Sequence, residues 1–418
     1  MKQLTLILLL IISGYLNAQT TAIPDANFEQ ELINQGYDSG PIDGSIPTSN
    51  IDTITRLIVY NLGISDLAGI EDFTALEFLD CYFNFLTTLD MSQNTALTHL
   101  RAGYNQLTSV NVTQNPNLKM LDCFINQLSS IDVTQNPSLD TLFLSDNQLT
   151  SLDVTQNSNL EYLACAKNQL SSLDVTNCVQ LTRLDCYYNQ LTAVDVTQCP
   201  QLVRYYPFNN MITAVNISQN PLLEIINCSN NQLSLLDVSS NPVLRIVVCD
   251  QNSISELNLS QNPLLTNLSC DTNQLTCLNI KSGSNDTINY INAEFNPNLT
   301  CIEVDNVAFS TSNWIGSYYI FDPAASFSTS CPIQCLVGID ELSSSSISIH
   351  PNPTNGQITI SLEENTGILT IRNYLGQLVL SENFNGKEFQ LNFDVPQGIY
   401  FLQLETNGKV ITKKIIKQ

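Results

Sequence analysis

A fixed period of 21 residues runs through most of the chain. Asparagine recurs at ten positions spaced 21 residues apart, from Asn84 to Asn273. The residue three places before each of them is usually cysteine, as at Cys81. A degenerate unit precedes this series around Val59, and another follows around Ala293. A unit of this length is too short to bury its own apolar residues, so the period predicts a solenoid of stacked units.

Residues 118–137 show the repeating unit in full. They begin Leu-x-x-Leu-x-Cys-x-x-Asn-x-Leu and continue x-x-Ile-Asp-Val-Thr-Gln-Asn-Pro. The first half resembles the leucine-rich repeat, whose pattern is L-x-x-L-x-L-x-x-N/C-x-L. The resemblance covers about residues 51–305, and it implies about 12 coils with a parallel β-sheet along a concave side.

The second half of the unit departs from many leucine-rich repeats, which carry a helix there. It offers a short alternating stretch, Leu-Asp-Val-Thr or a close variant, followed by an Asn-Pro turn. Such a stretch favours a strand or an extended segment. We therefore predict a mainly β fold in which the convex side of the solenoid is mostly free of helix.

Two polar residues recur with the period, and we interpret both as structural. The repeated Asn should form an internal ladder by hydrogen bonding to backbone groups of the turn after each strand. Aspartate in the Leu-Asp-Val step suggests a calcium ladder as an alternative, but several equivalent positions hold Asn. A turn-capping hydrogen bond accepts either side chain, whereas a carboxylate cage does not. The sequence therefore predicts neither a metal site nor a cofactor.

The chain has thirteen cysteines, of which seven occupy one buried position of the repeat. We expect these seven to act as small apolar residues with free thiols. Cys178 and Cys199 each replace a turn Asn in adjacent coils, which places them within bridging distance. Cys277 and Cys301 align in the last two coils, and Cys331 lies just beyond. We predict a 178–199 bridge and either a 277–301 or a 301–331 bridge, and the connectivity stays open.

The two ends of the solenoid carry different segments. Residues 1–18 are typical of a signal peptide, with Lys2, an apolar run too short to span a bilayer, and a small-residue cleavage site. Residues 19–50 should form an N-terminal cap with a short helix at 24–35, and residues 306–335 an aromatic C-terminal cap. No later segment holds eighteen uninterrupted apolar residues, so we expect no transmembrane segment.

A serine-rich linker, 336–346, separates a different pattern at 347–418, where short strands alternate with Gly or Asn turns. This pattern predicts a small antiparallel β-sandwich. Its motifs are Pro351-Asn352-Pro353, Gly356, Leu375-Gly376-Gln377, Gly398-Ile399-Tyr400 and a closing Lys413-Lys414-Ile415-Ile416-Lys417. They resemble the type A C-terminal sorting domain of the type IX secretion system, and an Ig-like adhesive domain is the alternative. The resemblance implies export by that machinery to the medium or to the outer cell surface of a Gram-negative bacterium.

Aromatic residues and arginine collect at the strand positions that should face the concave surface. Such residues are typical of protein interfaces, although they also pack across strands as good β-formers. A net charge of −24 disfavours nucleic acid as a partner. The predicted binding residues are Arg183, Asp185, Tyr187, Tyr188, Arg204, Tyr206 and Phe208 in two adjacent coils, with Tyr162, Phe143, Phe124 and Tyr104 in earlier coils.

These observations predict a secreted or cell-surface protein that binds a protein partner in adhesion or interaction. The alternative is a glycan-binding accessory protein, because aromatic rings also stack on sugars. An enzyme is disfavoured. The repeat region holds one histidine, His99, and no nucleophile elbow or phosphate-binding loop.

Overall fold

The computed structural model describes residues 19–333 and 335, and most of residues 347–417. In the latter stretch it leaves out 351–353, 355, 363–365, 374–377, 393–394, 397 and 407–408. The predicted signal peptide and linker therefore lie outside the described residues, as do the motifs Pro351-Asn352-Pro353 and Leu375-Gly376-Gln377. The chain divides into two compact units, residues 1–335 and 336–418.

A single parallel sheet of thirteen strands, called here the long sheet, runs the length of the first unit. In chain order its strands are Arg56–Ile58, Phe78–Asp80, His99–Arg101, Met120–Asp122, Thr141–Phe143, Tyr162–Ala164, Arg183–Asp185, Arg204–Tyr206, Ile225–Asn227, Ile246–Val248, Asn267–Ser269, Tyr290–Ala293 and Tyr319–Phe321. The middle residue of each repeat strand is buried, whereas its two neighbours point to the other face. The predicted parallel solenoid is confirmed.

The opposite side of the coils has strands only near its two ends. Thr88–Asp90 pairs with Ser109–Asn111, and a four-stranded parallel sheet joins Glu256–Asn258, Cys277–Asn279, Cys301–Glu303 and Ser326–Ser328. Between them the equivalent segments are extended, with one isolated bridge from Asp153 to Asp174. Residues 51–305 contain no α-helix, only the 3₁₀ turns Ile70–Asp72 and Asn285–Thr287. The prediction of a mostly helix-free side holds.

The asparagine ladder fastens each coil to the previous one. In the coil at 118–137, Asn126 Nδ2 donates to the carbonyls of Ala102 (3.0 Å) and Cys123 (3.1 Å), and Oδ1 accepts from Leu107 N (2.9 Å). A second row at the other turn includes Asn136, whose Nδ2 donates to Val112 O at 2.8 Å. Amides in the row of Asn126 bond backbone groups of two coils, and the Asn136 amide reaches back to two carbonyls of the previous coil, so the period is enforced by hydrogen bonds as well as by packing.

The predicted bridge between Cys178 and Cys199 is wrong. Both cysteines are free and buried, and they stand in the second asparagine row. Cys178 Sγ points to Val154 O at 3.8 Å, and Cys199 Sγ to the equivalent carbonyl at 3.5 Å. Each thiol therefore takes the place of an Asn amide toward the previous coil, and the two sulfurs do not turn toward each other.

The disulfides of the first unit both lie at its C-terminal end. Cys301 bonds to Cys331, which is one of the two predicted alternatives, and Cys277 bonds to Cys335. The other alternative, 277–301, is wrong because the returning segment lies over the opposite-side sheet. Cys331 N donates to Glu303 Oε1 at 2.8 Å, and this contact helps place that segment against the sheet.

Each end of the solenoid is covered by a short cap. Helix Ala26–Asn34, whose first turn is capped by Asp25, buries Phe28 against the first coil, next to the antiparallel pair Thr20–Ala22 and Ser45–Pro47. A 3₁₀ turn follows at Thr48–Asn50. At the other end, helix Val307–Asn313 precedes the buried Trp314.

The C-terminal cap continues both sheets of the solenoid, although its sequence leaves the leucine pattern. Tyr319–Phe321 and Ser326–Ser328 add one further rung to the long sheet and to the opposite-side sheet. Trp314 packs against Tyr319 and Phe327 and fills the space under this rung, which is why no leucine pattern announces it.

The second unit is a small antiparallel β-sandwich. One sheet holds Ile347–His350, Gln357–Leu362 and Glu388–Asn392, and the other holds Leu378–Asn385, Thr366–Asn373, Gly398–Thr406 and Lys409–Lys417. Its core takes residues from both sheets, among them Ile360 and Leu402. This agrees with the predicted fold class.

Candidate binding face

The outward face of the long sheet carries four parallel rows of side chains. The first and third residues of each strand form two rows, called here the first row and the third row. The residue two places beyond each strand forms the turn row, and the next residue forms the left-handed row. Each row advances by one coil, about 4.8 Å per step.

All predicted binding residues lie on this one face. Tyr162, Arg183 and Arg204 are in the first row, and Phe143, Asp185 and Tyr206 are in the third row. Phe124, Tyr187 and Phe208 are in the turn row, and Tyr104 and Tyr188 are in the left-handed row. None of the predicted aromatic side chains is fully buried, so a partner could reach each of them on this face.

The left-handed row holds bulky residues in an unfavourable backbone conformation. Twelve non-glycine residues there have φ between 49° and 59°, among them Phe83, Tyr104 and Tyr188. Asn fits this conformation best among side-chain-bearing residues and occupies it at Asn209 and Asn230. Rings at such positions are held in place by the surrounding coils, and Tyr188 is left 52% exposed. Because the same conformation recurs in twelve coils, it is a property of the repeat itself.

The central cluster comprises Tyr162, Arg183, Asp185, Tyr187, Tyr188, Arg204, Tyr206 and Phe208. Its centre is an ion pair in which Arg183 Nε and Nη2 donate to Asp185 at 2.9–3.2 Å. Tyr162 Oη donates to the same carboxylate at 2.7 Å, and burial together with this bond raises the pKa of the phenol. The guanidinium also lies 4.7 Å from the Tyr162 ring and 5.4 Å from the Tyr206 ring. These contacts fix the buried Asp185.

Three rings of the central cluster pack on one another. Tyr187 and Phe208 stack with their centroids 4.4 Å apart, and Tyr188 meets Phe208 edge-on at 5.7 Å. Beside them Arg204 is exposed, and its guanidinium has no hydrogen-bond or ion-pair partner among the residues that the structure describes. The cluster therefore combines rigid apolar area with one uncompensated positive charge.

A second group, called here the N-terminal cluster, comprises Tyr60, Tyr82, Phe83, Arg101, Tyr104 and Phe124. Phe83 and Tyr104 stack at 4.1 Å, and Tyr104 meets Phe124 edge-on at 5.5 Å. The Tyr82 ring lies over Gly103, where a Cβ atom would be 2.3 Å from its Cε2. Tyr104 and Phe124 of this group belong to the predicted binding residues, although the strongest patch was predicted in the middle of the solenoid. Gly103 stands in the turn row between Tyr82 and Phe124, and this glycine among aromatic residues was the signal in the sequence for close ring packing here.

The opposite side of the coils presents a regular row of turn-capping aspartates. At each of Asp132, Asp153, Asp174 and Asp195, Oδ1 accepts from the backbone N and the hydroxyl of the threonine two residues on. These bonds lower the pKa of each carboxyl group. Across the described residues there is no group of three or more His, Cys, Asp or Glu side chains arranged to hold a metal ion.

Comparison with known proteins identifies both units. Residues 348–418 match the family model of the secretion system C-terminal sorting domain. The functional domain of InlJ from Listeria monocytogenes, which includes a cysteine ladder, is similar in structure with a TM-score of 0.63 at 26% identity. That likeness covers 96% of this chain and 99% of the other. The first unit is a leucine-rich-repeat solenoid. The second is a type IX secretion sorting domain, and it directs the protein to the cell surface or beyond.

Other relatives agree on the leucine-rich-repeat fold. Internalin J of Listeria monocytogenes is 40% identical over 72 residues, which are 17% of this chain and 8% of that protein. An internalin (inlF) from the same species has a TM-score of 0.54 at 20% identity, covering 75% of this chain and 98% of that one. In the described parts of this leucine-rich-repeat protein, every helix is too short or too polar to cross a bilayer.

Proposed function

We propose that the solenoid binds a protein partner through the outward face of the long sheet, with the central cluster as the main contact. The observation that carries this proposal is the combination of Tyr188, half exposed in a left-handed conformation, with the unpartnered Arg204 beside it. Aromatic rings and arginine are the residues that most often dominate protein–protein binding energy. Their fixed positions reduce the entropy lost on binding.

The ring geometry favours a protein over a glycan. A sugar ring stacks on a free aromatic face, but Tyr187 and Phe208 each cover one face of the other ring, with an interplanar angle of 9°. Phe83 and Tyr104 do the same at 19°. Rings packed in this way present edges and side-by-side apolar area, which suits the irregular side chains of a protein surface.

A displayed library of random 12-residue peptides, selected on the mature chain, tests the proposal. We expect binding clones whose affinity falls about 30-fold or more when Tyr187 and Tyr206 are both changed to alanine, since truncated hot-spot residues cost about 2 kcal/mol or more. The circular dichroism spectrum should not change, because neither side chain belongs to the buried core.

Changing Leu222 and Leu235 to alanine provides the matched control, since both are exposed apolar residues outside the two clusters. This variant should bind as the wild type does. Clones that bind the Tyr187→Ala/Tyr206→Ala variant unchanged would refute the proposed contact. Binding confined to a glycan array would favour the alternative function.

A further inference from the structure

Asp122 is a buried carboxylate on the face of the long sheet that the chain leaves half satisfied. It is 6% exposed, and its Oδ1 accepts one hydrogen bond, from Phe124 N at 3.1 Å. Its Oδ2 has no hydrogen-bond or ion-pair partner within the described part of the chain. Burial raises the pKa of this carboxyl group, and the hydrogen bond from Phe124 N and the charge of Arg101 offset part of that rise. A largely desolvated carboxylate to which no cation donates a hydrogen bond is costly, so the site favours a donor from outside.

The third row contains two other buried aspartates, and both are paired. Asp80 accepts from Arg101 Nη1 at 2.7 Å, and Asp185 accepts from Arg183 and Tyr162. Arg101 lies between Asp80 and Asp122 in the register, but its guanidinium is turned to Asp80 and lies 5.2 Å from the Tyr82 ring. Asp122 is therefore the exception among three equivalent residues.

The repeat shows which groups are missing around Asp122. The residue equivalent to Arg183 is Met120, which offers no donor. The residue equivalent to Tyr162 is His99, whose Nδ1 shares a hydrogen bond of 2.8 Å with Thr98 Oγ1. Asp122 therefore lacks the cation that Arg183 supplies to Asp185 within one strand.

Aromatic residues lie near Asp122. Phe143 is the strand neighbour of Asp122 in the register, and Phe124 follows in the same coil. Burial raises the pKa of the Tyr82 phenol to about 12, and the charge of the nearby Asp122 contributes to this rise. Aromatic rings stabilise a desolvated cation in addition to the carboxylate. The surroundings therefore suit a basic side chain better than a neutral donor.

We infer that Asp122 receives a lysine or arginine side chain of the protein partner, which fills beside it the position that Arg183 fills beside Asp185. This inference rests on the proposed function and specifies the chemistry of the partner. The net charge of −24 also favours a partner with basic residues.

The same peptide library, selected on the full mature chain, tests this inference with three variants. Asp122→Asn keeps the acceptor for Phe124 N and removes the charge. Met120→Arg keeps Asp122 and supplies the missing cation from within the chain. Asp153→Asn makes the same change of charge on the exposed opposite side and is the matched control.

We expect the peptides selected on the wild type to share a lysine or arginine at one position. Their affinity should fall tenfold or more with Asp122→Asn and with Met120→Arg, and should stay within twofold with Asp153→Asn. Replacing the basic residue of the peptide by norleucine should cause the same loss, and Asp122→Asn should add nothing to it.

The possible failures are distinguishable. Peptides that depend on Tyr187 and Tyr206 but share no basic residue, or that bind Asp122→Asn as tightly as wild type, would overturn the inference and leave the proposed function standing. A library without any clone that depends on Tyr187 and Tyr206 would contradict the proposed function and the inference together. Unchanged circular dichroism of each variant excludes misfolding as the cause of a loss.

Discussion

The two sides of each coil differ in how strictly their residues repeat from one coil to the next. On the opposite side, the Asp-Val-Thr step repeats almost without change, because Asp or Asn must cap the same turn each time. On the outward face of the long sheet, equivalent positions hold residues as different as Tyr162, Arg183 and Ile225. Where backbone hydrogen bonds decide the residue, the repeat is uniform. The residues free to vary from coil to coil are the ones available for recognition.

Both sides of the coils enclose one interior, and the reactivity of the thiols inside it should show the largest effect. Nine free cysteines are buried, and burial raises the pKa of their thiols, to about 12 at Cys178 and about 11 at Cys199. Ellman's reagent should react with all nine in denaturant and at least about 1000-fold more slowly in the native protein, since exposure requires unfolding. Fast reaction of the native thiols would show that the coils open separately.

The asparagine ladder joins the two sides, and its loss should give the largest change in stability. Asn126→Ala leaves the N–H of Leu107 without its partner, whereas the carbonyls of Ala102 and Cys123 lose one hydrogen bond each and keep those from Asn105 and Asn147. We expect the free energy of unfolding to fall by about 3 kcal/mol, since a buried unsatisfied group costs about 1–3 kcal/mol and each lost hydrogen bond about 1 kcal/mol. Urea denaturation measures this change. Gln127→Ala, at an exposed neighbouring position, should cost less than about 0.5 kcal/mol.

The two aspartates of the third row should respond differently to the same substitution. Asp185→Asn weakens three charge-assisted bonds and should cost about 2 kcal/mol. Asp122→Asn removes an unpaired buried charge and should leave the stability unchanged or raise it slightly. Equal losses in thermal melts of the two variants would mean that Asp122 has a partner within the chain.

The opposite side should show the smallest effect and a dependence on pH. Threonine hydrogen bonds lower the pKa of Asp132, Asp153, Asp174 and Asp195 below 3.8. A carboxyl group whose pKa is lowered by folding contributes stability above its unfolded pKa and loses it as the pH falls through its folded pKa. Melting temperature should therefore decrease between pH 4.5 and 2.5. Changing all four to Asn should make that decrease smaller, because Asn keeps the turn cap without titrating.

The period in the sequence predicted the long sheet, the asparagine ladder, the turn-capping aspartates and the face on which every candidate residue lies. It could not predict contacts that depend on a choice between neighbouring coils. Arg101 stands one coil from both Asp80 and Asp122, and only side-chain packing decides that it pairs with Asp80. Cys178 and Cys199 likewise lie in adjacent coils, but each thiol points to a backbone carbonyl of the previous coil. The final rung was missed because aromatic residues around Trp314 replace the leucine pattern there.

The two disulfides have a consequence for maturation. They join Cys277 to Cys335 and Cys301 to Cys331, and no cysteine follows position 335. A cut after Cys335 would leave no disulfide between the solenoid and residues 336–418. The same two disulfides would keep the last strands of the cleaved solenoid from fraying at its new C-terminus.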